Sequence, residues 1–263
     1  MKLIGNENQI VTAINSFPSN YHRDFIIVRD NSRKYTSVPN PGTSITTPLA
    51  KDLRDVLKKW GSDQRRAPKP RGVKEFENTL TDPLFHSMLL DVLETKISQI
   101  GVLGKNRYVD KQKPGFDRLN FIDSKLIYIL NYLAGKLFID NTNVTYPMKA
   151  LLLLAAYMPA FDSNVRAGLK RGGFAGFSST RLVLPKRIGN ADSKKITSLP
   201  FLLGECWSSY KNIFIKGVSK SNYPNLIDEP ARIFDILLFM QSDNTLPVLL
   251  EQYSSNNKWY DLQ

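Results

Sequence analysis

Asp162 is the residue of this sequence whose surroundings point most clearly to chemistry. The twelve residues before it, 150–161, carry no charge, whereas Arg166, Lys170 and Arg171 follow it closely. A carboxylate in so basic a segment lies where a polyanion would dock, and it adds nothing to affinity for phosphates. A fixed carboxylate can, however, stabilise positive charge that develops on a sugar carbon, or orient an attacking water molecule. The pattern therefore predicts a chemical role for Asp162.

Asp162 also belongs to a short motif. Residues 158–166 read Met-Pro-Ala-Phe-Asp-Ser-Asn-Val-Arg, and they follow an apolar segment predicted to be a buried helix. This run resembles the catalytic loop of the helix–hairpin–helix DNA glycosylases, and the resemblance covers about residues 122–171. It implies that Asp162 is the catalytic carboxylate of a DNA glycosylase, an enzyme that flips out a damaged or modified base and hydrolyses its N-glycosidic bond. Repair and defence against phages with modified DNA both fit this activity.

Lys149 has a counterpart in the same family. Members that form a Schiff base with the sugar carry a lysine at the start of the preceding helix, and Lys149 stands thirteen residues before Asp162. The resemblance thus implies Lys149 as a second catalytic residue, and borohydride trapping of a covalent enzyme–DNA adduct would reveal it. The gap is shorter than is usual in the family, and Val-Thr-Tyr-Pro at 144–147 replaces the family's glycine-containing turn.

Base flipping also requires a pocket for the extruded base. Flipping costs a few kcal/mol, which stacking on aromatic rings and contacts with phosphates offset. We expect Tyr157 and Phe161, beside the carboxylate, and Trp60, beside a basic segment, to form this base pocket. Packing in the hydrophobic core is the alternative role for each of them.

The positive charge of the chain is concentrated in two segments. The formal net charge is +12, and residues 51–74 contribute +6 and residues 164–195 contribute +7. Such clustering is typical of nucleic-acid binding, with lysines that merely keep the surface solvated as the alternative. The residues expected to contact DNA are Arg65, Arg66, Lys69, Arg71, Asn164, Arg166, Lys170, Arg171, Arg181, Lys186 and Arg187.

Two other functions fit parts of the same pattern. A restriction-type nuclease would use Glu94-Thr95-Lys96 with Asp82 or Asp91 to hold a metal ion, although the spacing of the surrounding leucines is helical and this motif normally lies on a strand. A non-catalytic nucleic-acid-binding protein would need only the charge, and Asp162 would then simply cap a helix.

Helical periodicity dominates the segments that would position these residues. The predicted helices cover residues 49–60, 83–100, 122–138, 147–157, 200–216 and 246–253. Two further helices are predicted to begin near Ser163 and after the candidate N-cap Asp228. The strand candidates are residues 25–28 and 181–184. The predicted fold is mainly α, a compact multi-helix domain with a small β element, and the resemblance makes it one of helix–hairpin–helix glycosylase type.

We expect two parts in the chain. Residues 31–48, rich in Ser, Thr, Pro and Asn, suggest that residues 1–48 are an N-terminal extension packed on or linked to the main domain. Residues 49–263 would then form the helical DNA-binding and catalytic domain.

The composition excludes several classes. A hydrophobic fraction of 42% supports a packed core, and the lone Cys206 excludes a disulfide scaffold and a cysteine-ligated iron–sulfur cluster. His22 and His86 are far apart in sequence, so neither a metal nor another cofactor is expected. The longest apolar run, 150–161, is too short to span a bilayer, and the first residues do not resemble a signal peptide. We therefore expect a cytoplasmic monomer that binds DNA and no membrane.

Overall fold

The computed structural model describes residues 1–64, 67–109, 116–177, 182–253 and 258–263, and this part of the chain is mainly helical. Its α-helices are α1 (Glu7–Ser16), α2 (Ser19–Thr36), α3 (Thr43–Lys59), α4 (Val73–Leu80), α5 (Pro83–Glu94), α6 (Phe116–Leu137), α7 (Thr145–Ala155), α8 (Ser163–Arg171), α9 (Ala191–Lys220) and α10 (Pro230–Met240). None of these helices combines the length and the apolar character needed to cross a membrane.

The β structure of the described residues is limited to short antiparallel pairs. β1 (Lys2–Leu3) pairs with β6 (Leu250–Glu251), β2 (Lys69–Pro70) with β5 (Phe138–Ile139), and β3 (Ile100–Leu103) with β4 (Asn106–Val109). The predicted fold class, mainly α with a small β element, is confirmed at this level.

Helix α7 lies at the centre of the molecule because its residues from Ala150 to Ala155 are all apolar. All of its residues from Pro147 to Ala155 are buried, and α2, α3, α5 and α6 pack around it. Ala156, with positive φ, ends the helix by donating its backbone N–H to the carbonyl of Leu152. The chain then turns through residues 157–161 into α8.

Helix α8 is short and amphipathic, and it begins at Ser163 as predicted. Asp162 is its N-cap and Gly172 its C-cap. The buried face of α8 lies on α10, and the two backbones approach closely at Gly168, where an added Cβ would lie 1.8 Å from the carbonyl oxygen of Leu238. Position 168 requires glycine because any side chain would collide with the Leu238 carbonyl, and not because of its φ angle.

Residues 1–48 contribute to the same hydrophobic core as the rest of the chain. They form α1, α2 and the beginning of α3, so residue 48 lies inside a helix, and residues 31–48 are largely helical. Tyr35 is fully buried and donates its hydroxyl to the carbonyl of Leu80. The strand predicted at 25–28 is wrong, because Phe25 and Val28 face the core at helical spacing within α2 while Ile26 and Ile27 are partly exposed.

Three other expectations from sequence need correction. The predicted helix 83–100 ends at Glu94. The predicted helix 200–216 lies within the thirty-residue α9, which begins at Ala191, ends at Lys220 and kinks at Tyr210. Glu229 rather than Asp228 occupies the N-cap position of α10, since Asp228 ends a preceding 3₁₀ turn.

Residues 246–253 do not form the helix that their leucines suggested. The buried side chain of Gln241 accepts hydrogen bonds from the backbone N–H groups of Leu249 and Leu250 and donates to the carbonyl of Leu250. These bonds replace those of a helix and hold the segment extended, so that Leu250 pairs with Leu3 in the β1–β6 pair.

Candidate functional site

The Asp162 carboxylate has two partners of different kinds. One oxygen, Oδ1, accepts a hydrogen bond of 2.9 Å from the backbone N–H of Val165, as expected for an N-cap. The other, Oδ2, lies 3.7 Å from the Nζ atom of Lys149. The two residues predicted to be catalytic are therefore brought together, Lys149 from the first turns of α7 and Asp162 from the start of α8.

Lys149 is buried, which is unusual for a lysine. Its Nζ atom donates a hydrogen bond of 2.8 Å to the carbonyl of Trp60 and lies 5.4 Å from the centre of the Tyr146 ring. A buried ammonium is tolerated only where polar partners compensate for lost hydration, and the Trp60 carbonyl, the Tyr146 ring and the Asp162 carboxylate supply that compensation.

Asp162 and Lys149 open into a cavity of about 620 Å³, which lies within the size range of small-molecule sites. Aromatic, charged and amide side chains contribute to its wall. The residues lining it are Phe17, Tyr21, Trp60, Gly61, Gln64, Ala67, Asn143, Thr145, Tyr146, Lys149, Leu152, Ala160, Asp162, Ser163, Asn164, Arg166, Arg232, Asp235 and Phe239.

Only one of the three aromatic residues predicted for the base pocket lines this cavity. Trp60 does so, with its ring 5.5 Å from that of Tyr21. Phe161 is fully buried, and its ring packs edge-on against Phe177. Tyr157 lines a different cavity, and it follows Ala156, the residue of positive φ that ends α7. Proximity in sequence to Asp162 did not give proximity in space.

The backbone of Phe161 nevertheless helps to fix the site. Its carbonyl accepts hydrogen bonds from the Thr145 hydroxyl at 3.0 Å and from the Arg166 guanidinium at 2.5 Å. Thr145 begins α7 and Arg166 lies one turn into α8. The carbonyl therefore joins the two helix starts that carry Lys149 and Asp162.

The remaining aromatic residues of the cavity were missed by sequence reasoning. Tyr21 and Phe17 belong to the segment assigned to an extension, and Phe239 lies near the end of α10. Tyr146 could have been found, because it stands three residues before Lys149 at the start of the same helix. Its hydroxyl donates to the carbonyl of Gly61 at 2.7 Å, and burial together with the charge of Asp162 raises its pKa to about 12.

A buried ion pair on α10 forms another part of the cavity wall. Arg232 donates to an oxygen of Asp235 at 2.5 Å, and the other oxygen of Asp235 accepts from the backbone N–H of Ala160 at 3.1 Å. Burial raises the pKa of Asp235 to about 6; the charge of Asp162 acts in the same direction, and the charge of Arg232 opposes it. The guanidinium also lies over the rings of Phe17 and Trp60.

The residues predicted to contact DNA differ in their exposure and in their contacts. Lys69, Lys170, Lys186 and Arg187 are exposed, and Asn164 and Arg71 are half-buried. Arg166 and Arg171 have internal roles: Arg166 binds the Phe161 carbonyl, and Arg171 donates to the carbonyls of Gln241, Asp243 and Leu246. Arg65, Arg66 and Arg181 lie outside the described residues.

Both basic segments reach the cavity. Segment 51–74 supplies Trp60, Gly61, Gln64 and Ala67 to its wall. Segment 164–195 supplies Asn164 and Arg166, and its residue Val183 forms a β-bridge with Asn143, another lining residue. Two stretches far apart in sequence thus contribute residues to the wall of one cavity, which sequence alone did not establish.

The residues considered for a restriction-type nuclease lie elsewhere. Glu94 ends α5 and Thr95 is its C-cap, so this run is on a helix end and not on a strand. Asp82 is the N-cap of α5, and Asp91 forms an ion pair with Lys125. Among the described residues, no group of three or more His, Cys, Asp or Glu side chains is arranged to hold a metal ion.

Comparison with protein families, with curated proteins and with solved structures finds no match to this chain. Its function has to be inferred from the geometry of the cavity.

Proposed function

We propose that the protein is a DNA glycosylase that flips a damaged or modified base into the cavity and hydrolyses its N-glycosidic bond. The observation that carries this proposal is the Asp162 carboxylate in the wall of the cavity, 3.7 Å from the Lys149 ammonium. The aromatic wall and the two converging basic segments supply the other two requirements of the reaction, a place for a base and attraction for a polyanion.

Asp162 would act on the sugar of the flipped nucleotide. As the bond between C1′ and the base nitrogen breaks, its electron pair leaves with the base and the sugar becomes oxocarbenium-like. A fixed carboxylate stabilises that positive charge and orients the attacking water. Water provides the hydroxyl that ends on C1′ and the proton that ends on the released base, so the reaction needs no further reactant.

The flipped base would stack among Tyr21, Trp60 and Tyr146. Stacking on such rings offsets the few kcal/mol spent on unstacking and unpairing the base. Burial raises the pKa of both tyrosines, and the charge of Asp162 adds to the effect. Both phenols are neutral at physiological pH at the ordinary tyrosine pKa of about 10, and the upward shift does not change this.

Lys149 would have one of two roles, and chemistry can separate them. As a nucleophile, Lys149 would first lose a proton, and its neutral amine would then attack C1′ as the bond to the base breaks and its electron pair leaves with the base. Loss of a second proton from the nitrogen and opening of the sugar ring would give a Schiff base, which borohydride reduces to a stable enzyme–DNA adduct. As a positioning residue it would hold the Asp162 carboxylate beside the sugar, and borohydride would trap nothing. Its hydrogen bond to the Trp60 carbonyl positions the Nζ atom in either case.

The proposal is tested by incubating the purified protein with normal, damaged and phage-type hypermodified DNAs and identifying any released base by mass spectrometry. Asp162→Asn is expected to lower base release at least about a hundredfold, because the charge facing the sugar is lost. DNA binding should persist, since asparagine is an equally good N-cap and α8 stays intact.

Asp82→Asn is the matched control, because Asp82 is also an N-cap aspartate and accepts from the backbone N–H of Leu84 at 2.9 Å, outside the cavity. It should release base at the wild-type rate. Undiminished abasic-site formation by Asp162→Asn would refute the assignment. Salt-sensitive binding without any product would favour a non-catalytic nucleic-acid-binding protein, and magnesium-dependent strand cleavage that survives Asp162→Asn would favour a nuclease.

A further inference from the structure

We propose that a second cavity of the protein binds a small amphipathic anion, a carboxylate or phosphate that carries an apolar or aromatic body. This second cavity has a volume of about 600 Å³, within the size range of small-molecule sites. Residues from α2, the ends of α5 and α7, the middle of α9 and the start of α10 line it. None of the described residues that line it also lines the cavity of Asp162, so the inference does not depend on the proposed function.

Apolar side chains from three parts of the chain contribute to the wall of the second cavity. They are Leu93 and Ile97 at and after the end of α5, Trp207 and Ile215 on α9, and Ile227 before α10. Ile97 and Trp207 are buried, and the other three are half-buried. Because covering such side chains removes apolar surface from water, we expect the ligand to have an apolar or aromatic body.

Two hydroxyl groups of the same wall lack hydrogen-bond partners. Tyr157, which follows the C-cap of α7, is 5% exposed, and Thr95, the C-cap of α5, is 8% exposed. Neither hydroxyl forms a hydrogen bond with another of the described residues. Buried polar groups are nearly always hydrogen-bonded, so this pair indicates a ligand that brings acceptor oxygens into the second cavity.

Two lysines of the wall give the second cavity its preference for an anion. Lys96 and Lys211 both line the cavity and are exposed. Within the part of the chain that the structure describes, neither of them has an ion-pair partner. Their ammonium groups are therefore available to a carboxylate or phosphate, with which they would form charge-assisted hydrogen bonds.

The acidic residues of the wall do not cancel this preference. Glu229 is buried, and its Oε1 atom lies 2.7 Å from the Nε atom of Arg29 and 2.7 Å from the Nη2 atom of Arg33. Two guanidinium groups thus compensate for its charge. Asp228 is exposed, so water screens its charge.

The test titrates the protein with 8-anilinonaphthalene-1-sulfonate, an aromatic anion whose fluorescence rises in apolar surroundings. Lys96→Met with Lys211→Met should weaken binding at least about tenfold, because the sulfonate loses both cations. Lys34→Met with Lys216→Met is the matched control, since both lysines are exposed and lie outside the second cavity. The control removes the same charge from the protein and should bind the probe within about twofold of the wild type.

Two further variants locate the probe. Tyr157→Phe removes only a hydroxyl, and it should weaken binding at least about threefold if that hydroxyl donates to the anion. Asp162→Asn should leave the affinity for the probe unchanged, because Asp162 lines the other cavity. Tighter binding by Asp162→Asn would place the probe beside Asp162, where loss of a negative charge favours an anion.

Competition identifies the body of the ligand. Displacement of the probe by decanoate indicates an aliphatic body, and displacement by adenosine monophosphate indicates a nucleotide. The uncharged decan-1-ol and adenosine should compete at least about tenfold less well than these anions. The inference is overturned if the probe does not bind, if Tyr157→Phe or the Lys96/Lys211 variant binds it like the wild type, if Asp162→Asn binds it more tightly, if neither anion competes, or if the uncharged compounds compete equally well.

Discussion

At the scale of single residues, Lys149 and Asp162 are two opposite charges with little exposure in the wall of the cavity. Neither group is well hydrated, so each depends on the other and on fixed dipoles such as the Trp60 carbonyl. In such surroundings a carboxylate interacts strongly with any positive charge that arises nearby, because little water screens it. In the proposed reaction, the same arrangement that makes the pair costly to hold would make it effective against a developing oxocarbenium ion.

His22 provides a prediction about pH and stability. It is buried, its Nε2 atom donates to the carbonyl of Ile14 at 3.0 Å, and its Nδ1 atom has no hydrogen-bond partner. Burial lowers its pKa from 6.5 to about 4; the nearby Arg232 charge adds to this, and the Ile14 carbonyl opposes it. The folded state therefore favours neutral His22, and stability should be lost as the pH falls from 6.5 towards 4, by up to roughly 3 kcal/mol.

Urea unfolding at several pH values measures this effect. His22→Gln keeps a side-chain donor but cannot titrate, so its free energy of unfolding should depend less on pH between 6.5 and 4 than that of the wild type. The difference between the two proteins is the relevant quantity, because Asp235 titrates in the same range with the opposite sign. Parallel curves would show that His22 is not responsible.

At the scale of elements, the position of Asp162 is set by how closely α8 packs on α10. Gly168 lies two turns after Asp162 and allows the backbones to meet at Leu238. Helix α10 also carries the Arg232–Asp235 pair that lines the cavity. The distance between these two helices therefore decides where the carboxylate lies relative to the opposite wall.

Two glycine substitutions should have opposite effects on stability. Gly168→Ala places a Cβ against the Leu238 carbonyl oxygen and should lower the free energy of unfolding by about 2–3 kcal/mol, by overpacking. Gly135→Ala in α6 meets no atom within 4 Å and should raise it by up to about 1 kcal/mol, through helix propensity. Chemical denaturation measures both, and an equal effect of the two substitutions would contradict the packing argument.

At the scale of the whole molecule, the proposed function draws on the net positive charge of the chain. The segments 51–74 and 164–195 hold essentially all of the net charge, and both contribute to the cavity wall. Long-range attraction would therefore direct DNA towards the side of the molecule that carries Asp162.

The salt dependence of DNA binding tests this orientation. Replacing Lys186 and Arg187 by alanine should reduce the slope of log affinity against log salt concentration by up to about 2, because each phosphate contact releases about one counterion. Stability should hardly change, since both side chains are exposed. The control is the double variant Lys211→Ala with Lys216→Ala, because both lysines lie on α9 and outside both segments. If the control reduces the slope by the same amount, the position of the positive charge does not matter for DNA binding.

The sequence by itself determined the class of fold and the residues most worth testing. The apolar run of α7, the cap at Asp162 and the stop at Gly172 are local features, and local features follow from side-chain type and helical period. The concentration of charge in two segments is likewise a property of the sequence, independent of how the chain folds.

Only the tertiary structure decided which side chains share the cavity. Phe161 directly precedes Asp162 and Tyr157 lies five residues before it, but Phe161 packs in the core and Tyr157 lines a different cavity. Tyr21 lines the cavity of Asp162 although it lies more than a hundred residues away in sequence. A cavity wall is assembled by packing between distant helices, and its members share no sequence period that could reveal them. The 3.7 Å approach of Lys149 to Asp162 arises in the same way, from the angle at which α8 leaves α7 and lies on α10.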